Sequence, residues 1–322
     1  MAESPQITVF TPTYNRAHTI HRVFDSLCAQ TFSDFEWLII DDGSSDNTKD
    51  LIETWTATAN FSIRYVRQLH IGKNFAHNLA LAEARGYLFF PIDSDDAFVP
   101  DALEKMARLW ASIPESKRHN FCSVGALCQD QHGKIVGQKF PTEPFDADLL
   151  EVTYIRHIGG EKWIGWVTEI MRRYPFPEIH GTFLPEGIIC FDIAKSFKTR
   201  WSNDVVRTYY VDDPTTGATL TGTSRGGSHA LGRWYYYVWL LNNNLGYFFN
   251  SPSPFLKAAT ALSMCGWLSG HTLAESLRAL GSKRARLLVL LALPFAVLLF
   301  EMEKRAQTAY RRARARDAAA NE

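Results

Sequence analysis

The order of apolar and polar positions changes period repeatedly over the first 110 residues. ITVF, ending at Thr11-Pro12, is a short β-rich run, and Ile20, Val23, Phe24 and Leu27 then recur at helical spacing, which predicts an amphipathic helix over 18–30. FEWLII, closed by Asp41-Asp42-Gly43, predicts a buried second strand, and SSDNT opens a helix over 47–58. SIRYV, GKNFAHNLALAEA (stopped by Gly86) and YLFFPI continue the alternation as strand, helix, strand. Pro100-Asp101 opens a further helix with Leu103, Met106, Ala107 and Trp110 on one face.

Strands alternating with helices of this length predict an α/β fold, a mostly parallel sheet covered on both sides. Ligands of such sheets bind beyond the carboxyl ends of the strands. Three of those ends are unusually polar, TPTYNR, DDGSSDNT and DSDD, and are expected to meet in one crevice. Further on, a hairpin is predicted over 121–140 around Gln131-His132-Gly133, and 145–225 reads as mixed structure rich in Gly, Trp and Pro. From about 230 the chain turns apolar and helical, and 287–300, LLVLLALPFAVLLF, carries no polar side chain. This texture divides the chain into 1–120, 121–228 and 229–322.

Composition narrows the function. Lys and Arg total 34 against 34 Asp and Glu, so no net field favours nucleic acid. The five cysteines are scattered without a CxxC pair, which disfavours zinc and redox chemistry and fits reduced thiols in the cytoplasm. MAESPQITVF has no basic region followed by an apolar stretch, so no secretory signal is expected there.

The candidate chemistry lies in PIDSDD, where Asp93, Asp95 and Asp96 crowd into four positions. Like charges so close raise one another's proton affinity, and a cation among them removes the conflict. Oxygen-only clusters select hard ions such as Mg²⁺ or Mn²⁺, which keep waters and bridge to phosphates. The alternative is a solvated turn with helix-capping aspartates. Neither a GxxxxGK[ST] nor a GxGxxG sequence is present.

Taken together, TPTYNR at 11–16, DDGSSDNT at 41–48, GKNFAHNLALAEARG at 72–86 and DSDD at 93–96 stand in an order and spacing that resemble a family 2 glycosyltransferase of the GT-A type. The resemblance is strong over about 5–110 and looser to about 225. It implies a GT-A (Rossmann-like) fold, a nucleotide-sugar donor, UDP-linked above all, a divalent Mn²⁺ or Mg²⁺, and inverting transfer to a hydroxyl. On this resemblance Thr11, Pro12, Tyr14 and Arg16 line the nucleoside pocket. Asp41 binds the base, and Asp42 supports the same loop. Lys73 and Asn78 contact nucleotide or diphosphate. Asp93, Ser94 and Asp95 form the D-x-D, with Asp93 and Asp95 on the metal and Asp96 able to replace either.

An inverting transfer needs a general base, which such enzymes commonly supply from a Glu-Asp pair about 90 residues after the D-x-D. FLPEGIICFDIAK offers Glu186 there, with Gly187 where an aspartate often stands and Asp192 as the second candidate. Trp163 and Trp166 are candidate sugar platforms, or core; His180 and His229 are candidate late metal ligands. The run 287–300 is short of the roughly 20 residues a spanning helix needs. Its basic flanks, Lys283, Arg284 and Arg286 before and Lys304, Arg305, Arg311, Arg312, Arg314 and Arg316 after, suit anionic headgroups. The expectation is peripheral attachment through 283–316 at the cytoplasmic face, beside a glycan or lipid-linked acceptor. The rival readings are a catalytically degenerate nucleotide-binding scaffold and a sugar nucleotidyltransferase, whose Gly-rich N-terminal loop TPTYNR does not match.

Overall fold

The computed structural model describes residues 4–210 and 229–320, with side chains to 305. Among these, 4–181 and 189–210 form one compact unit, and 182–188 with 229–320 a second.

In the first unit the predicted alternation is realised. Strands β1 (Ile7–Thr13), β2 (Phe35–Asp41), β3 (Ser62–Arg67) and β4 (Leu88–Pro91) pair in parallel in the order β3-β2-β1-β4. Helices α1 (His21–Cys28), α2 (Thr48–Thr58) and α3 (Lys73–Glu83) connect them. The register aligns Thr13 with Asp41 and Asp41 with Arg67, so three strands end level with one another. Beyond β4 follow β5 (Ala97–Phe98), α4 (Ala102–Ala111), β6 (Phe121–Asp130), β7 (Phe145–Ala147), β8 (Lys162–Val167), α5 (Thr168–Met171), α6 (Gly187–Ala194) and β9 (Lys198–Tyr209). The nine-stranded sheet continues β4-β8-β6-β9-β5, with β8 antiparallel to both its neighbours and β6 parallel to β9.

The expected hairpin over 121–140 shrinks to a turn. Asp130 Oδ1 accepts from the backbone N–H of His132 and Lys134, and beyond it only the isolated bridge Gln129–Ile135 forms. The ladders of β6 go to β8 and β9 instead, since its apolar run FCSVGALC is buried on both faces and an edge hairpin would leave one face wet. Two glycines make room in that half. A Cβ on Gly165 would meet Phe90 at 1.6 Å and one on Gly125 would meet Trp201 at 2.4 Å.

Strand parity decides what each β1 side chain sees. Ile7 and Val9 join the core cluster with Trp37, Ile20, Val23 and Ile52. Thr11 has the same parity. Phe10 points the other way, edge-on to His77 of α3 and stacked on Phe89. His77 is fully enclosed by Phe10, Phe89 and Phe176, and its Nδ1 has no partner among the described residues. Burial, helped by the Lys73 charge, holds its pKa down at about 3, so the imidazole is neutral at physiological pH.

The second unit is helical. It contains α7 (Ala230–Asn243), α8 (Pro252–Leu268), α9 (Leu273–Arg278) and α10 (Lys283–Ala320). The Thr182 hydroxyl accepts from the Gly232 N–H at 2.9 Å, and a Cβ on Gly232 would strike the Phe183 carbonyl. Thr272 and Glu275 form a capping box on α9. Pro294 does not end α10, which runs well past the apolar segment at both ends. Among its described side chains the buried ones are Ala285, Val289, Ala292 and Ala296, at helical spacing; Leu291 is 67% and Phe295 65% exposed.

Candidate active site

The level ends of β1, β2 and β3 and the turn after β4 bring most of the sequence-predicted residues together. Asp41, the last residue of β2, is fully buried. Its Oδ1 accepts from the Ser44 N–H at 2.8 Å and its Oδ2 from the Tyr65 hydroxyl at 2.5 Å. Burial and the Asp41 carboxylate push the Tyr65 phenol well above its usual range. Asp42, also buried, organises the segment after β3. It accepts from Gln68 Nε2, from the backbone N–H groups of Ile71 and Gly72, and, through Oδ2, lies 2.9 Å from His70 Nδ1. Gly72 can close this loop because its φ is +116°, a region side chains avoid. The loop delivers Lys73 at the first position of α3, and its Nζ lies 2.7 Å from Asp93 Oδ1.

On the β1 side, Tyr14 stacks on His70 with ring centroids 3.9 Å apart. Asn15, at φ +52°, ties the β1 loop to the β2 loop through Ser44 and Ser45. The Arg16 charge acts on both Asp93 and Asp95. Pro12 is half-buried between these groups.

Oxygens of Asp93, Asp95 and Asp96 lie within 4.8 Å of one another. Their environments differ. Burial works against the Asp93 charge, but Lys73, Arg207 and Arg16 outweigh it and hold its pKa below the usual carboxylate value. Asp95 is pushed up by burial and by Asp93, against the lowering effect of Arg16 and Lys73. Ser94 between them is buried. Asp96 turns inward. Arg207 Nε donates to its Oδ2 at 2.9 Å, Nη2 donates to the same oxygen, and both residues are buried. Burial pushes the Asp96 carboxyl up to about 7 despite the Arg207 charge, while Asp96 holds the Arg207 pKa further above its usual range against burial. Removing one member of such a pair strands a buried charge, at about 3–5 kcal/mol.

Several expectations require correction. Asp96 is committed to Arg207 and does not stand in for Asp93 or Asp95. Thr11 is buried, and its Oγ1 accepts from Trp37 Nε1 at 2.9 Å, because it shares the core-facing parity of Ile7 and Val9. The Asn78 amide is spent on Phe176, giving to its carbonyl and accepting from its N–H, which makes it a clamp on the 176 segment. Trp163 and Trp166 are core residues. Trp163 stacks on Phe90 and donates to the Pro91 carbonyl, so neither offers a face to a sugar. His180 stacks on Phe75, His229 lies in the second unit, and neither belongs to the acidic group. Glu186 is exposed and directly precedes α6, where Asp192 is paired with Lys195.

Sequence reasoning passed over Tyr65, Gln68, His70, Arg22 and Arg207. The rule that ligands gather at strand ends, applied to β3 as it was to β1, β2 and β4, points to His70 and Gln68. Arg207, 111 positions from its partner, carries no local signal.

The donor set fits a hard divalent ion. It consists of carboxylate oxygens only, and burial and then the Asp93 charge raise the Asp95 pKa, a cost that a cation relieves.

Residues 8–116 match the description Glycosyl transferase family 2. An uncharacterized glycosyltransferase of Nostoc sp. is 34% identical over 105 residues, which are 33% of this chain and 33% of that relative, so the chain spans about a third of its length. Among solved structures, TarS residues 1–349 of S. aureus, in complex with UDP-GlcNAc, superposes with a TM-score of 0.56 at 20% identity, covering 96% of this chain and 92% of that one. A mannosyltransferase from Pyrobaculum calidifontis, in complex with GDP-Man and Mn²⁺, gives 0.50 at 21% identity over 95% and 84% of the two chains. At these identities the likeness is one of fold, a GT-A-type mixed sheet flanked by helices.

Proposed function

We propose that the chain, whose residues 8–116 match glycosyl transferase family 2, transfers a sugar, with inversion, from a nucleoside-diphosphate donor to a hydroxyl acceptor, UDP being the favoured nucleotide. The observation that carries this reading is the meeting of Lys73, Arg16, Asp93 and Asp95 at the carboxyl ends of the parallel strands. Cations and carboxylates interleaved there suit a diphosphate held partly by side chains and partly through an ion.

The exposed face of Tyr14, stacked on His70, supplies an aromatic wall for the nucleoside. Asp41 and Asp42, both buried, keep the two loops beneath that wall in place. Lys73 and Arg16 attract the diphosphate. Asp93 and Asp95 are the residues that would hold Mn²⁺ or Mg²⁺, which supplies charge neutralisation for the departing nucleoside diphosphate. Glu186 is proposed to take the proton of the attacking acceptor hydroxyl, so that the oxygen displaces the diphosphate as the new glycosidic bond forms. Calorimetric titration of UDP, GDP and dTDP, with Mn²⁺ and then with EDTA, tests the donor assignment. Metal-dependent binding of one nucleotide is expected; a folded sample that binds none of them removes the reading.

We further propose that α10 attaches the chain peripherally to a membrane on its cytoplasmic face, beside a glycan or lipid-linked acceptor. In support, Lys283–Arg305 is long and apolar enough by composition to cross a membrane, yet its large side chains, Leu287, Leu290, Leu291, Phe295 and Leu298, stand exposed. Lys283 and Arg284 flank them. Arg286 is spent on the Leu280 carbonyl, and Arg311, Arg312, Arg314 and Arg316 lie outside the described side chains. The double substitution Leu291→Glu/Phe295→Glu is expected to abolish flotation with vesicles containing phosphatidylglycerol and to leave nucleotide binding unchanged. Undiminished flotation would count against this attachment.

A further inference from the structure

We propose that Arg207 is a positioning residue for the acidic turn: it draws Asp96 out of the ligand set and fixes the turn so that Asp93 and Asp95 alone face a bound cation. This rests on the metal-dependent reading above and adds to it a residue from the far side of the sheet.

Three contacts tie the turn to the end of β9. Arg207 gives two N–H groups to a single oxygen of Asp96, with its remaining Nη1 3.5 Å from Glu161. The Tyr210 N–H reaches the other Asp96 oxygen at 3.4 Å. Arg22 of α1 donates to the Asp95 carbonyl at 3.0 Å while its guanidinium covers the Tyr210 ring at 4.1 Å. The two residues after Asp96 continue the connection, as Ala97 pairs with Thr208 and Phe98 with Arg207 in the β5–β9 ladder. The direction of the Asp96 side chain is therefore set by a strand more than 100 positions away in sequence, and the exposed oxygens left in the turn are those of Asp93 and Asp95.

The charge pattern supports the same conclusion. Three carboxylates within 4.8 Å, with a diphosphate beside them, carry more negative charge than one divalent ion offsets. Lys73 pairs with Asp93 and Arg207 with Asp96. Loss of Arg207 removes the contacts that hold the Asp96 side chain away from the other two and leaves it able to swing toward them, which disturbs the ligand geometry. Groups that orient metal ligands from behind typically account for about 10–100-fold in metal affinity.

The test uses the full-length protein and Mn²⁺ alone, followed by the paramagnetic resonance signal of the free ion, with circular dichroism as the control for folding. Arg207→Met is expected to weaken Mn²⁺ binding by about 10–100-fold. Arg207→Lys, which restores the charge without the fork, is expected to recover part of that loss. Asp96→Asn, which keeps an oxygen for Arg207 but not the charge, is expected to lose less Mn²⁺ affinity than Arg207→Met or Asp95→Asn. The inference is overturned if folded Arg207→Met binds Mn²⁺ normally. It is equally overturned if Asp96→Asn loses binding to the extent Asp95→Asn does, since Asp96 is then itself a ligand. Should Arg207→Met fail to fold, the lysine and asparagine variants decide the question. If the unaltered protein binds no Mn²⁺, the metal-dependent reading fails and takes this inference with it, a result distinct from normal binding by the variants.

Discussion

Asp95→Asn is expected to reduce glycosyl transfer by about 10²–10³-fold, the loss that follows when a charge-stabilising group is removed from a reacting centre. The variant should melt no lower than the unaltered protein. Asp95 is half-buried with Asp93 beside it, and its charge is disfavoured by both burial and that neighbour. Neutral asparagine relieves the conflict, so stability is unchanged or slightly higher while one proposed ligand of the cation disappears. Opposite movement of activity and stability is what separates a ligand from a structural carboxylate. Transfer at the unaltered rate, measured by release of the nucleoside diphosphate, would show that Asp95 holds nothing the reaction needs. Lys73 and Arg16 would then be the diphosphate's only recognised partners at that turn.

Glu186→Gln is expected to lower kcat by about 10²–10⁴-fold, the usual contribution of a positioned general base. Binding of Mn²⁺ and of nucleotide should be unchanged, because the glutamine keeps the shape and removes only the proton acceptor. Asp192→Asn provides the comparison. Asp192 sits on α6 in an ion pair with Lys195, three residues on, and its replacement is expected to have little effect. A large loss from Asp192→Asn with none from Glu186→Gln would transfer the role. Binding of donor with no turnover in the unaltered protein would favour the degenerate scaffold.

The strand ends were the most legible part of the chain. Each strand of the parallel half is short and apolar and stops at a polar cluster, so a local reading finds both the strand and its functional end. Asp42, Asp93 and Asp95 lie in such clusters and Lys73 in the motif that carries the family resemblance, and the structure brings them together at the ends of parallel strands. Thr11 and Asn78 were named from the same motifs and lie elsewhere. A motif gives the residue type, whereas strand parity gives Thr11 to the core with Trp37, and a partner 98 positions on claims the Asn78 amide. The hairpin over 121–140 failed for a related reason. A turn signal at Gln131-His132-Gly133 is local, but which strands flank β6 depends on which face the sheet must bury.

From the sequence alone came the alternation of strands and helices, the acidic turn, the apolar tail and the family resemblance, because each is written in neighbouring residues and their spacing. Only the tertiary structure decided that Asp96 belongs to Arg207, that His70 covers Tyr14, that Trp163 and Trp166 are core, and that α10 buries Ala285, Ala292 and Ala296 and exposes Leu287, Leu291 and Leu298. Those facts depend on pairings between segments distant along the chain, and such pairings follow from how the sheet closes rather than from any local pattern.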